Sequence, residues 1–389
     1  MMVLVAKWDR GSRGQGFLTG SRRGLETGDQ QDGLAMCLGT GTPSVPVSAP
    51  PESFPPRDMQ TLSVSDVPDK FTPRCSVVIC TRDRPAELDR CLEAVQHLDY
   101  PRFDVLVVDN ASRDARPREV AARRGFRYVV EPVVGLSRAR NSGARHSNAD
   151  IVAFLDDDSV PASDWLARLV VEFKDPQVMA VTGRILPLNA APSQERAPSL
   201  PGGLDLGEER RAVDAQNPDW FRLANFGGIG NGGNMAYRHK AFDVWPGFDE
   251  RIGHGTPLRG CEEHYAFFLL IERGYRVIYA PQAVVYHPFP GTLEDLRSRH
   301  LRNLGVSCGY MTLLFLEHRR HRGAILRYVA QWLKGDSRTW RWQLSENRRI
   351  TPRWRELLAC VPGPVFYFRA LLQRGLRRNS DHPKSSSET

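Results

Sequence analysis

"IVAFLDDDSVPASDWL", residues 151–166, runs an apolar stretch straight into three carboxylates and then a proline. Ile151 to Leu155 is continuously apolar, as a strand buried on both faces must be. Asp156, Asp157 and Asp158 follow with no spacer, and three adjacent like charges repel one another. One Asp or Ser here could cap the helix that "DWLARLVVEF" (164–173) predicts, but capping accounts for one such residue and not three. A divalent cation accounts for all three. Hard cations such as Mg2+ or Mn2+ take one or two protein carboxylates and complete their shell with phosphate oxygens.

Working outward, the same strand-then-helix texture begins at Cys75. "CSVVIC" (75–80), "DVLVVDN" (104–110), "FRYVVE" (126–131) and "VMAVTGRI" (178–185) read as strands. Helical spacing separates them at Pro85–Leu98, up to about Arg124, and at Ser137–His146. This alternation predicts an α/β fold with a mostly parallel sheet covered on both faces. Ligands of such sheets lie beyond the carboxyl ends of the strands. Thr81, Asp109 and the three aspartates therefore share one rim. Residues 186–226 are predicted as a long loop or partial helix, "GGNMAYR" (232–238) as a strand, and "CEEHYAFFLLIERG" (261–274) as a helix. "RVIYAPQAVVYH" (276–287) reads as two short strands around Pro281.

The 389 residues divide by texture into four zones. Residues 1–72 are rich in Gly, Ser, Pro and Arg without periodicity, and read as a disordered extension. Residues 73–290 form the α/β domain, 291–378 a basic helical region, and 379–389 a polar tail. A net charge of +8 suits a phosphorylated ligand or an anionic surface, and no nucleic-acid module is present. The seven cysteines are scattered with no C-x-x-C pair, which points to a reducing compartment. Neither a secretory signal nor an apolar run of about 18 residues is found, so the expectation is a cytoplasmic chain, soluble or peripheral on the inner face of the membrane.

Several further residues carry two readings each. Asp109 suits a base N–H or a ribose hydroxyl, and equally an Asx-turn entering the next helix. Arg138 and Arg140 in "GLSRARNSG" (135–143) offer phosphate or base contacts, or a solvated helix face. Gly228, Gly230 and Gly233 spell G-x-G-x-x-G, but they lead into a strand instead of opening a helix, so a loop with its backbone near a ligand fits better. Glu262 and Glu263 suit the dipole at a helix start, and also suit a general base. His287 ends a strand on the same rim, where an imidazole could be one more metal ligand.

Taken in order, "VVICTRDRP", "VLVVDNASRD", "GLSRARNSG", "IVAFLDDDSVPASDWL", "GGNMAYR", "PGFDE", "GCEEHYAFFLLIERGYRVIYAP" and "AVVYH" resemble a family 2 glycosyltransferase with the GT-A fold. The resemblance covers about Cys75 to Pro290. It implies that Thr81, Arg82, Asp83 and Asp109 hold the nucleotide, with Arg140 near the base. It implies a DxD-type motif at Asp156–Asp158, with Asp156 and Asp157 on the donor and Asp158 on the metal, joined by His287. Glu263 takes the place of the family's base, Glu262 stands beside it, and Gly233, Asn234 and Asp249 fall on the acceptor side or a loop. Two departures are a Glu where the base is usually Asp, and Tyr265 where an acid usually follows. The Q-x-x-R-W motif of processive members is absent.

The implied activity is metal-dependent, inverting, single-step transfer from a nucleotide-diphosphate sugar, UDP-linked for preference, to a glycan or lipid-linked acceptor of the cell envelope, with Mn2+ or Mg2+ as cofactor. The alternatives are a non-catalytic nucleotide-sugar-binding module or a sugar nucleotidyltransferase; the latter needs a glycine-rich loop that "CTRDRP" does not supply. The basic C-terminal helices either lie on an anionic membrane surface or pack on the catalytic domain with their arginines in solvent.

Overall fold

The apolar runs of the sequence become the central strands of one sheet. The computed structural model describes residues 71–188, 205–289, 292–334 and 351–380, all within one compact unit, Arg57–Thr389. Most of the expected N-terminal extension and polar tail lies outside the described residues.

Strand β1 (Cys75–Thr81) leads to α1 (Pro85–Gln96), whose first position is a proline preset for helix. There follow β2 (Phe103–Asp109), α2 (Arg116–Arg123), β3 (Arg127–Val130), α3 (Leu136–Arg145) and β4 (Ile151–Asp156). A two-residue strand β5 (Val160–Pro161), α4 (Trp165–Val170), β6 (Val178–Pro187) and β7 (Arg211–Val213) come next. The chain continues through α5 (Trp220–Asn225), β8 (Asn234–Arg238), α6 (Ala241–Val244), α7 (Glu262–Glu272) and β9 (Arg276–His287). Four helices end it: α8 (Leu293–Glu317), α9 (Arg322–Lys334), α10 (Arg353–Cys360) and α11 (Gly363–Ser380).

The strand order is β3-β2-β1-β4-β8-β6-β9-β5, with β7 paired to β9. β1 to β4, β6 and β9 run one way; β5, β7 and β8 run against them. The sheet is therefore mostly parallel, as the alternating pattern predicts. Alternate side chains of each strand enter two cores. Val77, Ile79, Ala153 and Leu155 meet α1 and α4 on one face. Val78, Phe154, Met235 and Tyr237 meet α3 and α7 on the other. Tyr310 and Leu313 of α8 and Tyr367 of α11 join that second core, so the boundary expected near 290 does not divide it.

Three expectations change. Strand β9 is continuous, because its register against β6 skips from Ala280 to Val284, and this bulge absorbs Pro281. The stretch expected as a long loop or partial helix over 186–226 contains the short helix α5 and also the unexpected strand β7, where the pattern is too short to show a period. Asn234, expected at the acceptor side or in a loop, is instead fully buried in β8. Its Oδ1 accepts from Trp165 Nε1 at 2.8 Å, and its Nδ2 donates to the carbonyls of Ala283 (2.9 Å) and Arg184 (3.0 Å). That amide satisfies the groups the bulge leaves unpaired, and the whole side chain is occupied inside the sheet.

Asn234→Leu keeps the volume but orphans those partners. Urea denaturation should show a loss on the order of 2–4 kcal/mol; an unchanged midpoint would contradict this role.

Candidate functional site

The register of the sheet builds the site. Cys80 of β1 lies opposite Asp156 of β4, and Thr81 lies opposite Asp109 of β2, so the three strands end together. Thr81 donates its hydroxyl to Asp157 Oδ2 at 2.7 Å. Asp109 is buried, accepts from the Ser112 backbone N–H at 2.8 Å, and accepts a short hydrogen bond from the Tyr128 hydroxyl. Asp83 accepts from the Arg113 backbone N–H (2.8 Å) and from Arg113 Nε (3.0 Å), while its own N–H donates to Ser112 Oγ. The loops after β1 and β2 are thereby stitched together. Arg82 is 44% exposed, with Nε 3.8 Å from Asp83.

Backbone strain gathers at this rim. Asp83, Ala111 and Cys261 are the non-glycine residues with positive φ among the described residues. Two follow the strands β1 and β2, and Cys261 precedes α7. Such conformations cost on the order of 1–3 kcal/mol and persist where the surroundings over-determine them.

Asp156, Asp158 and His287 can each offer one ligand atom, all within 4.8 Å of one another. Two carboxylates and an imidazole suit a divalent cation. The imidazole is also oriented for it: Nδ1 lies 2.7 Å from the Pro288 carbonyl, which as its acceptor leaves Nε2 facing Asp158 Oδ1 at 3.3 Å. The sequence-derived metal pair of Asp158 and His287 is thus brought together, and Asp156, expected on the donor, joins it.

The charges are balanced by protein cations. Arg84 Nη1 bridges Asp157 Oδ1 (3.1 Å) and Asp158 Oδ2 (2.9 Å). Burial pushes the Asp157 carboxyl up to about 6, against the Thr81 hydrogen bond and the Arg84 charge. Burial also acts upward on Asp158, but His287 and Arg84 outweigh it and hold that carboxyl below its ordinary range. His287 moves the opposite way: burial disfavours its charge, and Asp158 overrides burial and raises it. Sequence reading missed Arg84, which sits within the quoted "TRDRP". Its partners lie 73 and 74 residues away, and only the β1–β4 pairing brings them close.

Arg140 of α3 connects this acid cluster to the start of α7. Its side chain is 3% exposed, with Nη1 2.7 Å from Glu262 Oε1 and Nη2 3.6 Å from Asp156 Oδ1. Nη2 also donates to the Gly232 carbonyl at 3.0 Å, and the guanidinium lies over Phe248. Expected near the base, Arg140 is held among protein groups. Gly233 is required by the same crowding, since a Cβ there would lie 2.5 Å from Asp156 Oδ2. Of the glycines expected to approach a ligand, Gly233 lies against Asp156, while Gly228 and Gly230 lie against Leu223 and Thr182.

The two glutamates differ. Glu262 is 5% exposed, and its Oε2 lacks a hydrogen-bond partner among the described residues. Burial and the neighbouring Glu263 charge raise it, with Arg140 acting against them. Glu263 keeps 14% of its side chain open. Burial raises it too, but His264 and Arg140 outweigh burial and lower it. Asp249 is clipped to Arg251, which also grips Glu317 of α8 at 2.6 Å. Tyr265, at the usual acid position, faces His318 just after α8, hydroxyl to Nε2 3.0 Å.

Residues 76–245 match the model described as Glycosyl transferase family 2. Residues 76–245 thus form a domain of that family. An N-acetylglucosaminyltransferase of Rhizobium meliloti is 26% identical over 64% of this chain and 58% of its own length. The pre-mycofactocin glycosyltransferase of Mycobacterium tuberculosis is 30% identical over 58% of this chain and 44% of its own length. The chain thus spans about half the length of these curated relatives. The structure of Staphylococcus aureus TarS 1–349 in complex with UDP-GlcNAc is 16% identical, with a TM-score of 0.49 over 76% of this chain and 81% of that one.

Arg84→Ala removes a competing cation, and Asp158→Asn removes a ligand. Titration with Mn2+ alone should show tighter binding in the first variant and a loss of at least about tenfold in the second; equal affinities would contradict the assignment.

Proposed function

We propose that the chain transfers a sugar from a nucleotide-diphosphate sugar to an acceptor hydroxyl, with inversion and one addition per cycle. The observation that carries this reading is the juxtaposition through Arg140: a cation-fitting acid cluster at the strand ends, and an acid pair at the head of α7. The names of the relatives support the donor class, since those proteins are called N-acetylglucosaminyltransferase and glycosyltransferase.

Thr81, Asp83 and Asp109 line the rim where the nucleoside would lie, with Arg82 at its exposed edge. Asp156, Asp158 and His287 would hold Mn2+ or Mg2+. The bound ion would supply charge neutralisation for the departing diphosphate. Arg84, half-exposed at the same carboxylates, is placed to turn from them to a phosphate oxygen. Glu263 is the general base, because it is the more open and the more readily ionised of the pair. Its carboxylate takes the proton of an acceptor hydroxyl, whose oxygen then attacks the anomeric carbon. Glu262 positions that base and holds Arg140. A UDP-linked donor is favoured, with a glycan or lipid-linked saccharide of the cell envelope as acceptor.

Turnover of a nucleotide-sugar panel with Mn2+ tests the reaction. Glu263→Gln should lower kcat by at least about a thousandfold while sparing donor binding. Because the base works deprotonated and its pKa is lowered, kcat should stay level as the pH falls through the ordinary glutamate range near 4.3. His264→Phe removes the charge that lowers it and should move the acid limb up by roughly one unit. An unchanged limb, or full activity in Glu263→Gln, would assign the base elsewhere.

A further inference from the structure

The last two helices dock by one face and leave the other unpartnered among the described residues. The docked face crosses α8 at close range: a Cβ at Gly363 would lie 2.5 Å from the Cys308 Cβ, and one at Gly309 would lie 2.7 Å from the Gly363 carbonyl. Tyr367 and Ala370 are buried there, and the Tyr367 hydroxyl donates to Glu317 at 2.8 Å. The outward face carries Trp354, Leu358, Val361, Val365, Phe368 and Leu372, each between 51% and 69% exposed. They recur at intervals of four, three, four, three and four residues, so the stripe keeps a helical period across the junction of α10 and α11. Single exposed apolar residues are ordinary, but a continuous row of six large ones marks an interaction surface.

Charge identifies the partner. Residues 351–380 contain six arginines and one acid, Glu356. That acid is buried, accepting from the Thr351 hydroxyl at 2.8 Å with His300 nearby at 3.4 Å. Exposed Arg355 and Arg369 border the stripe, and Arg355 lies over the Trp354 ring. A second copy would bring the same arginines face to face, because a two-fold interface pairs a patch with itself. An anionic lipid surface satisfies both halves of the face. Its acyl boundary takes the leucine, valine and phenylalanine side chains, and its headgroups take the guanidinium groups. We propose that this face of α10 and α11 docks the chain on an anionic membrane without spanning it. The helices are suited to lying flat: no helix among the described residues is long and apolar enough to cross a bilayer. Docking of this kind needs no donor or acceptor, so it stands or falls separately from the proposed transfer reaction.

Flotation of the full chain with phosphatidylcholine vesicles, with and without phosphatidylglycerol, tests the proposal. Binding is expected only with phosphatidylglycerol and should weaken with salt. The variant Val361→Glu/Val365→Glu/Phe368→Glu changes only exposed side chains, and circular dichroism checks that it is folded. It should lose about a hundredfold in vesicle affinity, and Arg355→Ala/Arg369→Ala about tenfold. Three results would overturn the proposal: no binding to either vesicle, equal binding to both, or undiminished binding by the folded glutamate variant. Sedimentation showing a dimer that the glutamate variant breaks would likewise assign the face to self-association instead.

Discussion

The Arg140 guanidinium sits almost without solvent between Glu262 and Asp156 and fixes where both can be. Arg140 and Glu262 would each be costly to bury alone, whereas Asp156 keeps 34% of its side chain exposed. Together they offset one another, and breaking such a pair by deleting one partner typically costs about 3–5 kcal/mol. The arrangement also reaches across the fold, because Arg140 belongs to α3, Asp156 to β4, Glu262 to α7 and the Gly232 carbonyl to the loop before β8. One cation thus sets the spacing between the acid cluster at the strand ends and the acid pair that the proposed reaction needs. Gly233 follows from the same constraint, as the backbone must pass Asp156 with no side chain of its own.

The rim is assembled at some expense to stability. Asp157 is buried far enough that its carboxyl resists ionisation, and three non-glycine residues hold positive φ around the site. Arg84 and the raised His287 offset the remaining negative charge. A divalent cation would relieve the same repulsion, and in the proposed reaction it would take the place of a protein counter-charge. The half-exposed position of Arg84 suits this exchange better than that of fully buried Arg140.

Much of this was legible in the sequence because its signals are local. The apolar runs ending in Thr81, Asp109 and Asp156 read directly as strands with polar ends, and their alternation with helices gave the mostly parallel sheet. Glu262 and Glu263 open a helix as their position suggested. What stayed hidden depends on pairings between distant residues. Arg84 acquires its role only when β1 and β4 lie side by side. Asn234 falls in a run that reads as a strand, yet it was expected at the acceptor side or in a loop, because nothing near it announces the β9 bulge whose carbonyl it satisfies. Charge and amphipathic pattern left the C-terminal helices open to two readings, and the structure shows one face packed on α8 and the other exposed. Sequence periodicity reveals that a helix has two faces; only packing reveals which one is covered.

The central claim is that the strand-end acids are a half-site completed by a cation. Anomalous diffraction from crystals of the protein soaked with Mn2+ and a nucleoside diphosphate tests it most directly. The account predicts a manganese peak within coordination distance of Asp158 and His287, with the Arg84 side chain turned away from both aspartates. A peak elsewhere, or an Arg84 still bridging Asp157 and Asp158 in crystals that bind the nucleotide, would contradict it.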